Sequence, residues 1–146
     1  MEAWELAARE AIRHTIASYN YFADRGLFER VSELFAVDGV LEVDGIGGAR
    51  ADGRAEVLAF FTGVGNDVTA TRPPGRMQHH VSSVWIDVRA PDDARAASYF
   101  TVMTGAGVDH WGRYRDDFVP DGDRWLFAHR LVRTDGYAPG GWASSR

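Results

Sequence analysis

MQHHVSSVWIDVRAPDDARAASYFTVMT (77–104) decides the fold class of this chain. On either side of PDD (91–93) apolar and polar residues alternate with period two, the pattern of half-buried strands. A connection as short as PDD leaves the flanking strands no choice but to pair antiparallel. The pattern repeats downstream: HWGRYRDDFV (110–119), the turn PDGD (120–123), then RWLFAHRLVRT (124–134). Four long antiparallel strands after Met77 therefore predict a curved sheet, with no helix between Arg95 and Thr134.

Upstream of Met77 the period is helical. Ile12, Ile16, Tyr19 and Ala23 recur at spacings that stack them on one face of a helix running from Trp4 to Ala23, and Gly26 is its natural stop. Phe28, Val31, Leu34 and Phe35 predict the buried stripe of a short second helix. Asp38-Gly39 then turns the chain into a strand over Val40–Val43, and DGIGGARADG (44–53) reads as a loop by its glycines. A third helix is expected from Arg54 to Thr62, with Val57, Leu58 and Phe61 inward. The stretch Gly63–Gly75, with its glycines and Pro73-Pro74, reads as a long mobile loop, and residues 136–146 as a loosely attached tail. Helices followed by strands make an α+β domain over 1–146: a cone-shaped barrel of curved antiparallel sheet, with the N-terminal helices packed over a cavity.

Composition narrows the chemistry. The net charge is −5, and the arginines are scattered singly among aspartates, which argues against a nucleic-acid surface. The absence of cysteine removes disulfides, thiolate catalysis and cysteine-ligated metal. The histidines at 14, 79, 80, 110 and 129 show no chelating spacing, so no metal site is expected, and no glycine pattern suits a nucleotide cofactor. The start MEAWELAARE lacks the features of a signal peptide, and no apolar run is long enough to span a bilayer, so the expectation is a cytoplasmic protein without membrane or cofactor.

The residues able to carry chemistry are few. Asp24 stands at the last turn of the first helix, where a carboxylate opposes the helix dipole; by position alone it reads as a solvated helix end paired with Arg25. His79 and His80 open the first long strand, and alternation lets only one of them face inward. If that is His79, then Val81, Ser83 and Trp85 share its face; if His80, then Ser82, Val84 and Ile86 do. Tyr19 lies on the apolar stripe of the first helix, and Tyr114 alternates with Gly112 and Asp116. His129 and Arg130 sit between apolar neighbours in the last strand, so one of them needs a buried partner.

Three segments, IASYNYFADRGLFERVSELFAVDGVLEVDG (16–45), MQHHVSSVWIDV (77–88) and GRYRDDFVPDGDRWLFAHRLV (112–132), together resemble the SnoaL-like branch of the nuclear transport factor 2-like superfamily, over about Trp4 to Asp135. The relatives that look most similar are scytalone dehydratase-like and bile-acid dehydratase-like enzymes. The resemblance implies that Asp24 in FADRGLF and His79 in MQHH face each other, and that Tyr19 and Tyr114 are polar groups of the same site. It implies acid–base chemistry without a cofactor, as a dehydratase, cyclase or isomerase acting on a polycyclic or polyketide-like substrate. Trp85, Phe61, Arg130 and Tyr99 are the expected substrate contacts. An epoxide hydrolase or epoxide-opening cyclase using Asp116 with Arg130 is the alternative chemistry, and a non-catalytic small-molecule binding protein or an interaction module are the alternatives without chemistry. Trp85, Tyr99, Trp111 and Phe118 are too many aromatics for one small core, which predicts a homo-oligomer, a dimer first, formed through the outer sheet face.

Overall fold

A computed structural model describes all residues, Met1–Arg146. Helix α1 (Ala3–Ala23) is followed by the short α2 (Phe28–Ser32), strands β1 (Phe35–Asp44) and β2 (Ala49–Asp52), and helix α3 (Arg54–Thr71). Four long strands complete the sheet: β3 (Gln78–Ala90), β4 (Asp93–Thr104), β5 (Gly107–Asp121) and β6 (Arg124–Tyr137), with a 3-10 turn at Trp142–Ser145. The four strands after Met77 pair antiparallel, as their alternation requires. The sheet order is β2-β1-β6-β5-β4-β3, with β2 and β3 as open edges, so the sheet does not close into a barrel. It is also mixed: β1 runs parallel to β6, pairing Leu41 with Arg130 and Val43 with Val132. No helix of the structure is long and apolar enough to cross a membrane.

All three helices lie on one face of the sheet. Between them and the strands is a core containing Ile12, Ile16, Tyr19, Phe35, Val57, Phe61, Phe100, Tyr114, Phe118 and Phe127. Aromatic rings pack closely around Tyr19 beneath α1: its ring lies within 6.3 Å, centroid to centroid, of Phe35, Phe61, Tyr114 and Phe127. Phe118 belongs to this core, whereas Trp85, Tyr99 and Trp111 stand exposed on the other face.

Four segments differ from expectation for identifiable reasons. Helix α2 stops at Ser32 because the chain enters the sheet: the Phe127 N–H donates to the Leu34 carbonyl, and Phe35 pairs with Phe127. Within 44–53, residues Ala49–Asp52 fold back on β1 as an antiparallel edge strand. The segment at 136–146 is docked rather than loose, with Ala143 buried and the Asp109 carboxylate accepting the backbone N–H groups of Trp142 and Ala143 at 2.6 and 3.1 Å.

The largest difference is α3, which continues through Gly63 and Gly65 to Thr71. Val57, Phe61, Val64 and Val68 keep helical spacing, and these four are buried or half-buried. Packing of that stripe outweighs a glycine penalty of about 1 kcal/mol per residue. Gly65 also has a packing role, since a Cβ there would meet the Phe28 ring at 2.5 Å. The helix ends at Arg72, in a left-handed conformation (φ 45°), immediately before Pro73-Pro74.

The two glycines give opposite expectations. A Cβ at Gly63 meets nothing within 4 Å, so Gly63→Ala should raise the stability by about 0.5–1 kcal/mol in urea denaturation. Gly65→Ala should lower it by about 1–3 kcal/mol through overpacking against Phe28. Equal, negligible effects would mean that this segment is a loop.

Candidate active site

Two constraints bring the end of α1 to the beginning of β3. Near the helix start, the Arg9 guanidinium donates to the Ile86 carbonyl at 2.6 Å. At the helix end, Asp24 meets His79. Fifteen helical residues rise about 22 Å, and seven strand residues span about 23 Å. The matching lengths let α1 lie antiparallel along β3 and be tied at both ends.

Asp24 caps the C-terminus of α1, whose last turn holds no basic residue; the following Arg25 donates to the Tyr21 carbonyl at 2.8 Å rather than pairing with Asp24. Its carboxylate is satisfied from the sheet instead. Oδ1 lies 2.7 Å from the His79 Nδ1, and Oδ2 accepts the His79 backbone N–H at 2.9 Å. A carboxylate is acceptor-only, so in the neutral imidazole the proton sits on Nδ1 and the lone pair on Nε2. The Nε2 makes no hydrogen bond within the protein. The His79 side chain keeps 25% of its surface exposed and Asp24 keeps 13%, so the pair is sheltered yet reachable. Met77 and Val81, two residues to either side of His79 in the chain and partly buried against the core, share its face. His80 points the other way and is exposed.

Tyr19 and Tyr114 are deeper. The Tyr114 hydroxyl pairs with the Asn20 side-chain amide, with the amide nitrogen at 3.2 Å. Asn20 lies one helical turn before Asp24, a spacing of four that places both on one face. Burial pushes Tyr114 up to about 12, with the nearby Asp24 charge among the smaller contributors, so its phenol stays protonated at any ordinary pH. Tyr19 is held well above the usual tyrosine range, by burial first and Tyr114 second. Its ring is a core element, enclosed by aromatics on several sides.

The expected substrate contacts are not gathered around the dyad. Trp85 and Tyr99 project from the outer face. For Trp85 the cause is a bulge: the β3–β4 register shifts between Ser82 and Trp85, with Ser83 at φ 50°. The extra residue inverts the alternation, so Val84 and Ile86 turn inward and Trp85 outward. Tyr99 lies between the buried Ser98 and Phe100 and must face away from them. Phe61 is a core residue stacked on Phe28. Arg130 has no accessible surface; it forms a two-pronged ion pair with Asp116 at 2.7 and 2.8 Å, beneath the rings of Tyr19, Tyr114 and Phe127. Both Asp116 oxygens are engaged, which leaves that pair poorly placed to activate water for epoxide opening.

One group near the dyad escaped the sequence reading. His110 is bonded through Nδ1 to the buried Asp109 at 2.7 Å, and its ring stands 6.5 Å from that of His79, edge to face. Adjacent strand residues should face opposite sides, but the β4–β5 register shifts between Val102–His110 and Met103–Val108, and this bulge turns both residues away from the outer surface.

A model of the SnoaL-like domain matches residues 4–131 of the chain. No curated protein matches it. Among solved structures, an NTF2-like protein with a cystatin-like fold from Novosphingobium aromaticivorans is 27% identical, with a TM-score of 0.78 over 97% of this chain and 90% of that one. A putative scytalone dehydratase from the same organism is 23% identical, with a TM-score of 0.77 over 94% and 91%. LinA shares 16% identity, with a TM-score of 0.78 over 93% and 91%. The domain match spans most of the chain, and the helices-then-sheet architecture is shared with these structures: the chain belongs to the SnoaL-like family.

Proposed function

We propose that this protein is a cofactor-independent lyase or isomerase that removes a proton beside a carbonyl of a small, largely apolar substrate. The observation that carries the reading is the Asp24–His79 contact, in which one carboxylate oxygen holds the imidazole and the other the backbone of the same residue. Such a doubly held imidazole presents Nε2 in one orientation, the requirement for a general base. In a dehydration, Nε2 takes the proton from the carbon beside the carbonyl. The C–H electron pair forms the new double bond, and the hydroxyl on the next carbon leaves as water with a proton returned by the imidazolium. Asp24 stabilises the imidazolium while the proton is in transit. The description of one structural neighbour as a putative scytalone dehydratase agrees with this chemistry. Tyr114, protonated and bonded to Asn20 one helical turn before Asp24, is the candidate to polarise the carbonyl oxygen.

The test substrate is a bicyclic β-hydroxy ketone, a hydroxytetralone whose dehydration releases a fluorescent naphthol. His79→Ala should lower kcat by about 10²–10⁴-fold. Asp24→Asn should cost less, and the double variant should be little worse than His79→Ala, because the two act as a unit. His80→Ala, altering an exposed outer-face residue, should leave turnover within about twofold of the parent, since surface changes away from a site are nearly neutral. Naphthol binding without turnover in the parent would favour a binding protein over an enzyme.

The same reading includes a homodimer. The exposed Trp85, Tyr99 and Trp111 on the outer face support a second copy of this chain as the partner covering it. Sedimentation should give twice the monomer mass at micromolar concentration, and Trp85→Glu should shift it to monomer. A parent that sediments as a monomer at high micromolar concentration would remove the idea.

A further inference from the structure

His110 is a histidine that the proposed acid–base step does not use, and its surroundings are unusually determined. The register places three residues in one row across the inner face: His79 opposite Val102 on β4, and Val102 opposite His110 on β5. Val102 is fully buried. The two imidazoles flank it and lean together, with centroids 6.5 Å apart at 89°. Phe100 and Trp142 wall the His110 ring on other sides, each at 6.2 Å.

Asp109 determines the proton on His110. Its Oδ1 accepts the Trp142 N–H at 2.6 Å, and its Oδ2 accepts the Ala143 N–H at 3.1 Å and faces the His110 Nδ1 at 2.7 Å. The two backbone N–H groups fix this carboxylate as the acceptor, so the His110 Nδ1 faces it with the proton. Burial pushes the imidazole below the ordinary histidine value against the opposing pull of Asp109, with the neighbouring His79 adding to the downward shift. The ring is therefore neutral near pH 7. Its Nε2 holds a lone pair and has no partner within the protein.

We infer that His110 is a specificity residue that accepts a hydrogen bond from a hydroxyl of the substrate, so that the site takes hydroxylated rather than purely hydrocarbon rings. The inference rests on the reading of the His79 surroundings as a substrate site and names the substrate class for it. A fixed acceptor beside the base holds a phenol or alcohol at one end while His79 addresses the carbon framework. An analogue that cannot donate leaves the acceptor unpaired, and discrimination by hydrogen bonding comes largely from that penalty.

The test uses naphthol and its methyl ether, which keeps the ring and loses the donor, with binding followed by fluorescence or calorimetry. The parent should bind naphthol about tenfold more tightly than the ether, the value of one hydrogen bond. His110→Phe should bring the ratio close to one by weakening naphthol alone, and His110→Gln, whose carbonyl can accept, should restore part of it. His79→Phe should keep the preference. A preference lost in His79→Phe but kept in His110→Phe would overturn the assignment in favour of His79. Equal weakening of both ligands in His110→Phe would reduce His110 to a structural role. No preference in the parent would overturn the inference outright. Because binding is measured without turnover, a parent that prefers naphthol through His110 but dehydrates nothing would sink the enzymatic reading and leave this one standing.

Discussion

The buried ion pair of Arg130 and Asp116 is the constraint around which the interior is arranged. A guanidinium and a carboxylate with no accessible surface have each given up hydration worth several kcal/mol, and the pair is tolerable only with near-ideal geometry. Asp116 supplies both oxygens from the opposite position on β5. Tyr19, Tyr114 and Phe127 present ring faces to the guanidinium carbon at 3.9–4.3 Å, adding cation–π attraction. Sliding β6 along β5 would separate two charges in a low-dielectric interior, so the pair pins the register on which the positions of Tyr114 and Asn20 depend. It acts as a structural element rather than a reagent.

That pin also explains how the upper and lower parts of the inner face divide the work. Around Arg130 every side chain is packed and the tyrosines are locked as neutral phenols. Toward the start of β3 packing relaxes: Asp24, His79 and His110 keep partial access to solvent, while Asp109 is buried. Rigid packing at one end gives the imidazoles at the other end a fixed frame, which is what preorganised acid–base groups need.

Much of the fold was legible because its long strands obey alternation: the turns at 91–93 and 120–123 and the antiparallel pairing all follow from period two. What was not legible lies where a local rule is overruled by tertiary contact. Gly63 and Gly65 read as breakers, yet the Val57–Phe61–Val64–Val68 stripe carries the helix across them. Strand β1 parallel to β6 is a non-local pairing that no sequence period announces. At the candidate site, the Asp24–His79 contact joins two element ends, and the family resemblance pointed to it. Strict alternation from an inward His79 carries Trp85 inward, and the bulge at Ser83 reverses it; a second bulge lets the neighbours Asp109 and His110 both escape alternation. Asn20 could have been found, since its spacing of four from Asp24 is visible in the helix.

The docking of residues 142 and 143 on Asp109 has an evolutionary consequence. The carboxylate grips backbone N–H groups, which every residue except proline provides. The side chain at position 142 adds a bond of its own, the Trp142 indole N–H donating to the Thr71 Oγ1 at 2.7 Å, and its ring borders His110. Exchange of that side chain would give up the Thr71 bond but leave the carboxylate's grip on the backbone in place, so the wall beside the imidazole can change over evolutionary time while the segment stays docked.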